Sequence, residues 1–510
     1  MKRSIVSCFL AGGIILFLLV IFQTNLGHYN YVMNSDIGAE AMLAEVIASS
    51  GQNIPDSWYP STETRFVTTP NLAALFYRLC NSVNLAMGLA CCVMTLLIVI
   101  SSYSFGKSID LSMTGRLGLI LMILMMPDNF DTLEILYIFA CYYSVHVVAL
   151  FWTLSLYCNL IRKRKLNRIS LCLCTVFAII LGVQGMRGML VLYGPLFGIE
   201  IIRTLYLLYS RKKREKCDHI AAIWVILLVA FNFIGSRFPV SVGQDFSRNI
   251  RNGFSKLCTI VIPDMARAIG FENAGNIGKT CLCIFLAAAV YVLATVLWKM
   301  VKRKEIEETE WAYLFLFASP VLTALIVSFT TVDSSVRYYF VLLFAISLAV
   351  ILLVEKYARK HISLKIIAGA AVACFMLINF RGIYLPVLRS EDPPKTDAYQ
   401  VVQYLEENDY TLAYTTFEHA NMMTALSDGR VKVASVASVE NMDICKWLSC
   451  KDWYVPNMPY EMKTAYIITE AEMGNFSQFY AKHEKNLAFV TQIGNYHIYV
   501  SEYNFSNLGE

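Results

Sequence analysis

The chain has 510 residues, of which 57% are hydrophobic and 16% charged; it cannot be one soluble domain, because that much apolar surface needs lipid to cover it. Its formal net charge of +5 does not signal a nucleic-acid partner, since the basic residues stand in short clusters between apolar runs, where they set membrane topology. The composition is that of a polytopic membrane protein.

In chain order, Ile5 to Ile21 follows Lys2 and Arg3 and is continued by Gln23, Thr24 and Asn25 with no small-residue cleavage site. It therefore reads as a retained first span and signal anchor. About 20 apolar residues cross the hydrocarbon core, and eleven stretches qualify: 5–22, 82–103, 114–126, 134–158, 169–183, 189–209, 219–235, 280–299, 311–329, 336–354 and 362–379. With the N-terminus in the cytoplasm, five turns fall inside: Lys107 to Arg116, Ile161 to Arg168, Arg211 to Lys216, Val301 to Glu308 and Glu355 to His361. All are basic, as the positive-inside rule asks. The outer connections are acidic or long: a first loop at 23–81, Pro127 to Asp131, Gln184 to Gly188, a long loop at 236–279, and Thr331 to Ser335.

Composition shifts after Phe380. A Pro-rich linker at 381–396 separates a membrane module, 1–380, from an extracytoplasmic domain, 397–510. In that domain Asp397 is placed to cap a helix bearing Val401, Val402 and Leu405, while Tyr410 to Phe417 and Val431 to Val436 alternate as strands around Ser427-Asp428-Gly429. Ala465 to Thr469 reads as a buried strand, and Leu487 to Val500 as a hairpin turning at Gly494-Asn495. The fold class is an α-helical polytopic membrane protein of about eleven spans with a small C-terminal α/β domain.

Most of the fifteen cysteines lie in apolar runs and pack as small hydrophobes. Cys445 and Cys450 lie in a polar region, where a disulfide and two free thiols are equal readings. The chemistry-bearing stretch is Asn34 to Pro70, where Asp36, Glu40, Glu45, Asp56 and Glu63 accompany Trp58, Tyr59 and Arg65. After Asp36, the spacing of Ile37, Ala41, Leu43, Ala44, Val46 and Ile47, with Glu40 and Glu45 on the other side, predicts an amphipathic helix lying on the bilayer. A carboxylate at its lip is poorly solvated and suited to act as a base; the plainer reading makes Asp36 the helix cap. Residues Trp58 to Arg65, including Glu63 and Arg65, are candidates for acceptor or lipid contact. A second acidic group, Asp128, Asp131 and Glu134, stands at the outer end of the third span, where it serves proton transfer, a divalent cation, or simply solvated loop charge. Arg187 and Arg337, at outer span ends, either snorkel to headgroups or clamp a phosphate. His146, set within the fourth span, is an intramembrane ionisable group.

A first span, an early carboxylate in Asn34-Ser35-Asp36, a second acidic loop in PDNFDTLE, and Arg337-Tyr338 opening a late span together resemble the GT-C superfamily of membrane glycosyltransferases, of the protein mannosyltransferase and aminoarabinose transferase types. Ile37 follows Asp36 where protein mannosyltransferases carry an Asp-Glu pair. The resemblance implies Asp36 as base or acceptor-positioning residue, Asp128 or Glu134 as the second acidic site, and Arg187 and Arg337 with Tyr338 on the lipid phosphate. It implies as partners a polyprenyl-phosphate-linked sugar, the lipid bilayer, and an extracytoplasmic glycan, lipid or protein acceptor. Apart from it, Asp36 and Asp128, from two outer loops, offer hard oxygen ligands for a divalent cation (Mg or Mn), with no cofactor as the other reading. A transporter or lipid flippase, or a non-catalytic membrane scaffold, is the competing reading; a transporter places ionisable groups near the bilayer midplane.

Overall fold

A computed structural model describes residues 2–162, 168–211, 214–238, 247–272, 274–357, 361–391, 394–454 and 463–506. Parts of three predicted basic turns (163–167, 212–213, 358–360), part of the long loop (239–246, 273) and Asp392 and Pro393 of the linker lie outside those residues.

Nine helical runs among the described residues are long and apolar enough to cross a membrane: Ile5–Gly27, Val83–Ser108, Ser144–Ile161, Met189–Tyr209, Lys216–Gly235, Asn276–Val301, Glu308–Ser328, Val336–Tyr357 and Ile362–Arg389. Met113–Met125 and Arg168–Gln184 are shorter apolar helices. Each of the eleven predicted stretches thus holds an apolar helix, and two of them differ from expectation. The last helical run continues to Arg389, past Phe380. The predicted fourth span, 134–158, is divided into a short helix, Phe130–Leu136, and the span Ser144–Ile161. Residues 137–143 between them are irregular, with Phe139 (φ 62) and Cys141 (φ 52) in the left-handed region. Apolar sequence does not distinguish a buried irregular segment from a helix, because both need low polarity. His146 consequently sits in the first turn of its span rather than within it.

The chain forms two compact units. The first comprises Met1–Ile21, Met94–Tyr137 and Cys141–Pro386 and holds most of the membrane helices. The second comprises Phe22–Val93, Ile138–Ala140 and Val387–Glu510, so the first loop belongs with the C-terminal domain.

The second unit is built on a five-stranded sheet. Its strands are β2 (Leu412–Thr416), β3 (Lys432–Val436), β5 (Thr464–Thr469), β6 (Ala488–Ile493) and β7 (Tyr496–Ser501), in the order β3-β2-β5-β7-β6. β1 (Trp58–Tyr59) and β4 (Ser449–Cys450) form a separate antiparallel pair that ties the first loop to the domain. The predicted hairpin at Gly494-Asn495 forms, and Val401, Val402 and Leu405 are buried together with Val433 and Ile498. Two local expectations change. Phe417–Leu426 is a helix, and it joins β2 and β3 as a parallel pair. Thr396, not Asp397, caps the Asp397–Glu407 helix by accepting from the Tyr399 amide. Cys445 and Cys450 are both free thiols.

The Ser35–Ser50 helix does not lie exposed on a surface. Nearly every side chain from Ser35 to Ile47 is buried, because the helix is packed between Phe417–Leu426 and Thr69–Cys80. Small residues make this approach close. A Cβ at Gly38 would meet the Asn421 carbonyl and stand 2.9 Å from the Met422 amide nitrogen, both backbone atoms that cannot rotate away. Gly38→Val should therefore lower the thermal stability of the second unit, by roughly 1–3 kcal/mol. Thermal unfolding followed by far-ultraviolet circular dichroism measures the loss.

Candidate active site

In the second unit, Asn34 caps the Ser35–Ser50 helix: its side chain accepts from the Ile37 amide at 2.8 Å. The cap role is therefore filled, and half-buried Asp36 stands in the first turn, where the helix dipole favours a carboxylate. One turn on is Glu40, which the sequence placed on the exposed side of a surface helix; its side chain is only 4% exposed. Arg65 makes an ion pair with Glu40 at 2.6 Å and another with Glu63 at 2.9 Å. Three of the predicted residues, Asp36, Glu63 and Arg65, thus gather around one that sequence reasoning missed. Burial pushes the Glu40 carboxyl up, Arg65 opposes that shift, and the nearby charges of Asp36 and Glu63 add to it. The second carboxylate oxygen of Glu40 has no hydrogen-bond partner among the described residues. Trp58 is buried edge-on against Trp453, with ring centroids 6.4 Å apart, so it packs the domain rather than facing lipid.

In the first unit, the Phe130–Leu136 helix and the turn at Val336–Tyr339 pack together and bring Glu134 to Arg337, N to O 2.5 Å. Glu134 is buried, while the Arg337 side chain is 27% exposed. The guanidinium of Arg337 lies 5.5 Å from the Tyr142 ring centroid. That of Arg187 lies 3.7 Å from Tyr143 and 5.2 Å from Tyr338. Glu134, Arg187, Arg337 and Tyr338, predicted from three separate loops, therefore share one aromatic-lined patch. A guanidinium stacked on a ring keeps its donors at the ring's rim, where a phosphate oxygen is recognised.

Asp128 is positioned by a different device. Its carboxylate fills the space beside Gly270 (φ 82) that a side chain would occupy. Neighbouring Asn129 caps the Phe130–Leu136 helix through the Thr132 amide at 2.9 Å and donates to the Arg267 carbonyl at 3.0 Å. Burial pushes the Asp128 carboxyl up to about 7 against a weaker opposing hydrogen bond from Asn129. No local signal in the sequence marks Gly270 as its partner.

Among the described residues, no group of three or more His, Cys, Asp or Glu side chains comes together as metal ligands. Asp36 and Asp128, the residues expected to offer ligands to a divalent cation, belong to different units.

Ionisable groups do lie within another span. Glu200 and Arg203 are buried in Met189–Tyr209 and pair at 2.8 Å. Tyr157 donates to Glu200 at 2.6 Å, and Asp218 pairs with Arg203 at 2.7 Å. The i,i+3 charge pair is legible in the sequence, and its full set of partners marks a structural pin between helices.

No protein-family model matches the sequence, and no curated protein matches it. Solved structures do. An oligosaccharyltransferase of Archaeoglobus fulgidus aligns over 92% of this chain and 69% of its own, with 12% identity and a TM-score of 0.51. ArnT of Cupriavidus metallidurans aligns over 98% of this chain and 99% of its own, with 12% identity and a TM-score of 0.51. The chain thus shares the fold of these two structures.

Proposed function

We propose that the chain is a membrane glycosyltransferase that moves a sugar from a polyprenyl-phosphate donor to an acceptor on the outer face, with its N-terminus cytoplasmic and its C-terminal domain outside. The observation that carries this reading is the likeness to ArnT along nearly the whole of both chains. In the proposed reaction the Asp36 carboxylate takes the proton of the acceptor hydroxyl as its oxygen attacks the anomeric carbon. The bond from that carbon to the phosphate oxygen breaks with inversion, and polyprenyl phosphate leaves. Phosphate is a good leaving group, so positioning and charge stabilisation supply most of the rate. Arg187 and Arg337, with Tyr338, hold the lipid phosphate, and Glu134 orients Arg337. Arg65 is engaged by Glu40 and Glu63. In this reading it shapes the Asp36 surroundings and leaves the phosphate to the other two arginines.

Replacing Arg187 tests the donor assignment. Arg187→Ala removes one cation from the aromatic patch and should weaken binding of polyprenyl phosphate about tenfold. Titration calorimetry in detergent measures it. Unchanged affinity would remove Arg187 from the donor site.

A further inference from the structure

In the second unit, β2 lies between β3 and β5 and runs parallel to both. The chain leaving β2 forms the Phe417–Leu426 helix, whose Ala420, Met423 and Leu426 share a buried core with Ile498 of β7. The chain leaving β5 leads to the Met473–His483 helix, whose Phe476 packs on Tyr499, the next residue of β7, with ring centroids 4.9 Å apart. Successive strand residues face opposite ways, so the two connections depart to opposite faces of the sheet. A crevice opens between them at the strand ends, and such a switch point is where open α/β sheets take ligands.

The crevice here is a cavity of about 1000 Å³, large enough for a small molecule. Glu472 lines it and ties the two strand ends together, accepting from the Thr416 hydroxyl at 2.7 Å and from the Thr469 amide at 2.9 Å. Met33, Met422 and Leu426 give it an apolar wall. Tyr496 and His419, hydrogen-bonded at 3.2 Å, add an aromatic one. Its charge has one sign: Asp397, Glu418 and Glu470 line it with Glu472, and none of its described lining residues is Lys or Arg. Lys395, close by in the chain, is paired with Glu391 at 2.8 Å, and Glu470 is bonded to His497 at 2.6 Å. The Asp397 carboxylate lies beside Gly494 (φ 52), in the space a side chain there would take. Such a lining repels phosphates and other anions. Its carboxylates are also spread out, since among the described residues no three acidic, His or Cys side chains converge on a point where one metal ion could sit.

We propose that this cavity binds a small organic polycation of the polyamine class. Ammonium groups meet the separated carboxylates, the Tyr496 ring offers a further cation contact, and the methylene segments between them lie on Met33, Met422 and Leu426. Met33 is followed directly by Asn34, the cap of the Ser35–Ser50 helix, so a bound ligand also bears on the helix that carries Asp36.

The test needs no sugar transfer. Titration calorimetry of the full chain in uncharged maltoside micelles uses spermidine as probe, with spermidine acetylated at both terminal amines as its control. Saturable binding of spermidine is expected, at least about tenfold tighter than that of the acetylated form. That comparison uses the wild-type chain alone. Asp397→Asn/Glu418→Gln, at two exposed positions, should weaken spermidine at least about tenfold while the protein stays folded. Glu440→Gln, at an exposed carboxylate outside the cavity, should leave the affinity unchanged. Equal affinity for the acetylated form, unchanged affinity in the double variant, an equal loss in Glu440→Gln, or no saturable binding up to about 10 mM would each overturn the proposal.

Discussion

Asp36→Asn should lower sugar transfer by at least about 100-fold while leaving the protein folded, the loss expected when a positioned general base is removed. The substitution is close to isosteric, and the helix keeps its Asn34 cap. It removes one negative charge beside Glu40, whose carboxyl is pushed up in part by Asp36, so the Glu40 to Arg65 pair should tighten slightly. The lost charge at the helix N-terminus costs about 0.3–1 kcal/mol. Activity and stability therefore separate. Transfer from a labelled donor together with the thermal midpoint measures both, and an active Asp36→Asn protein removes the residue from the chemistry. A structural role would instead lower the midpoint along with the rate.

The second large effect concerns pH. Asp128 rises from an ordinary carboxyl value of 3.8 to about 7 on folding, through burial beside Gly270. A carboxyl with a raised folded value binds its proton more tightly folded than unfolded, so the stability it lends is complete below about 4 and is lost as pH rises through 7. A shift of this size corresponds to roughly 4 kcal/mol at most. Asp128→Asn carries no charge to bury. It should match the wild type at pH 4, exceed it in thermal midpoint at pH 8, and flatten the slope between. Identical slopes for the two proteins would show that Asp128 is solvated. Below pH 7 the acid is neutral, which confines any ionised role of Asp128 in transfer to the alkaline side.

What could be read from the sequence follows the range over which each signal acts. The spans were legible because hydropathy is a local property summed over about 20 residues. The start of the fourth span was not, since residues 137–143 are as apolar as a span while Phe139 and Cys141 turn left-handed. The Ser35–Ser50 helix was visible as a period, but its cover was not: the Phe417–Leu426 helix lies some 380 residues further on, and its start was assigned to a strand. Glu40 was misplaced for the same reason, because Arg65 reaches it from the far side of an irregular loop. Asp128, Glu134, Arg187 and Arg337 were chosen by residue type at span ends. The structure gathers the last three through Tyr338, which the resemblance had named, and through Tyr142 and Tyr143, which composition alone gave no reason to prefer.

The central claim is that a sugar leaves a lipid phosphate on this protein, and one measurement reaches it directly. Purified protein in proteoliposomes is supplied with radiolabelled polyprenyl-phosphate sugars and a crude envelope acceptor, and lipid-linked label is followed with time. For one of the donors, label should leave the lipid fraction, appear in the acceptor, and yield an equal amount of free polyprenyl phosphate. Label that stays lipid-linked for every donor while the protein moves substrate across the bilayer would contradict the account and establish a transporter instead.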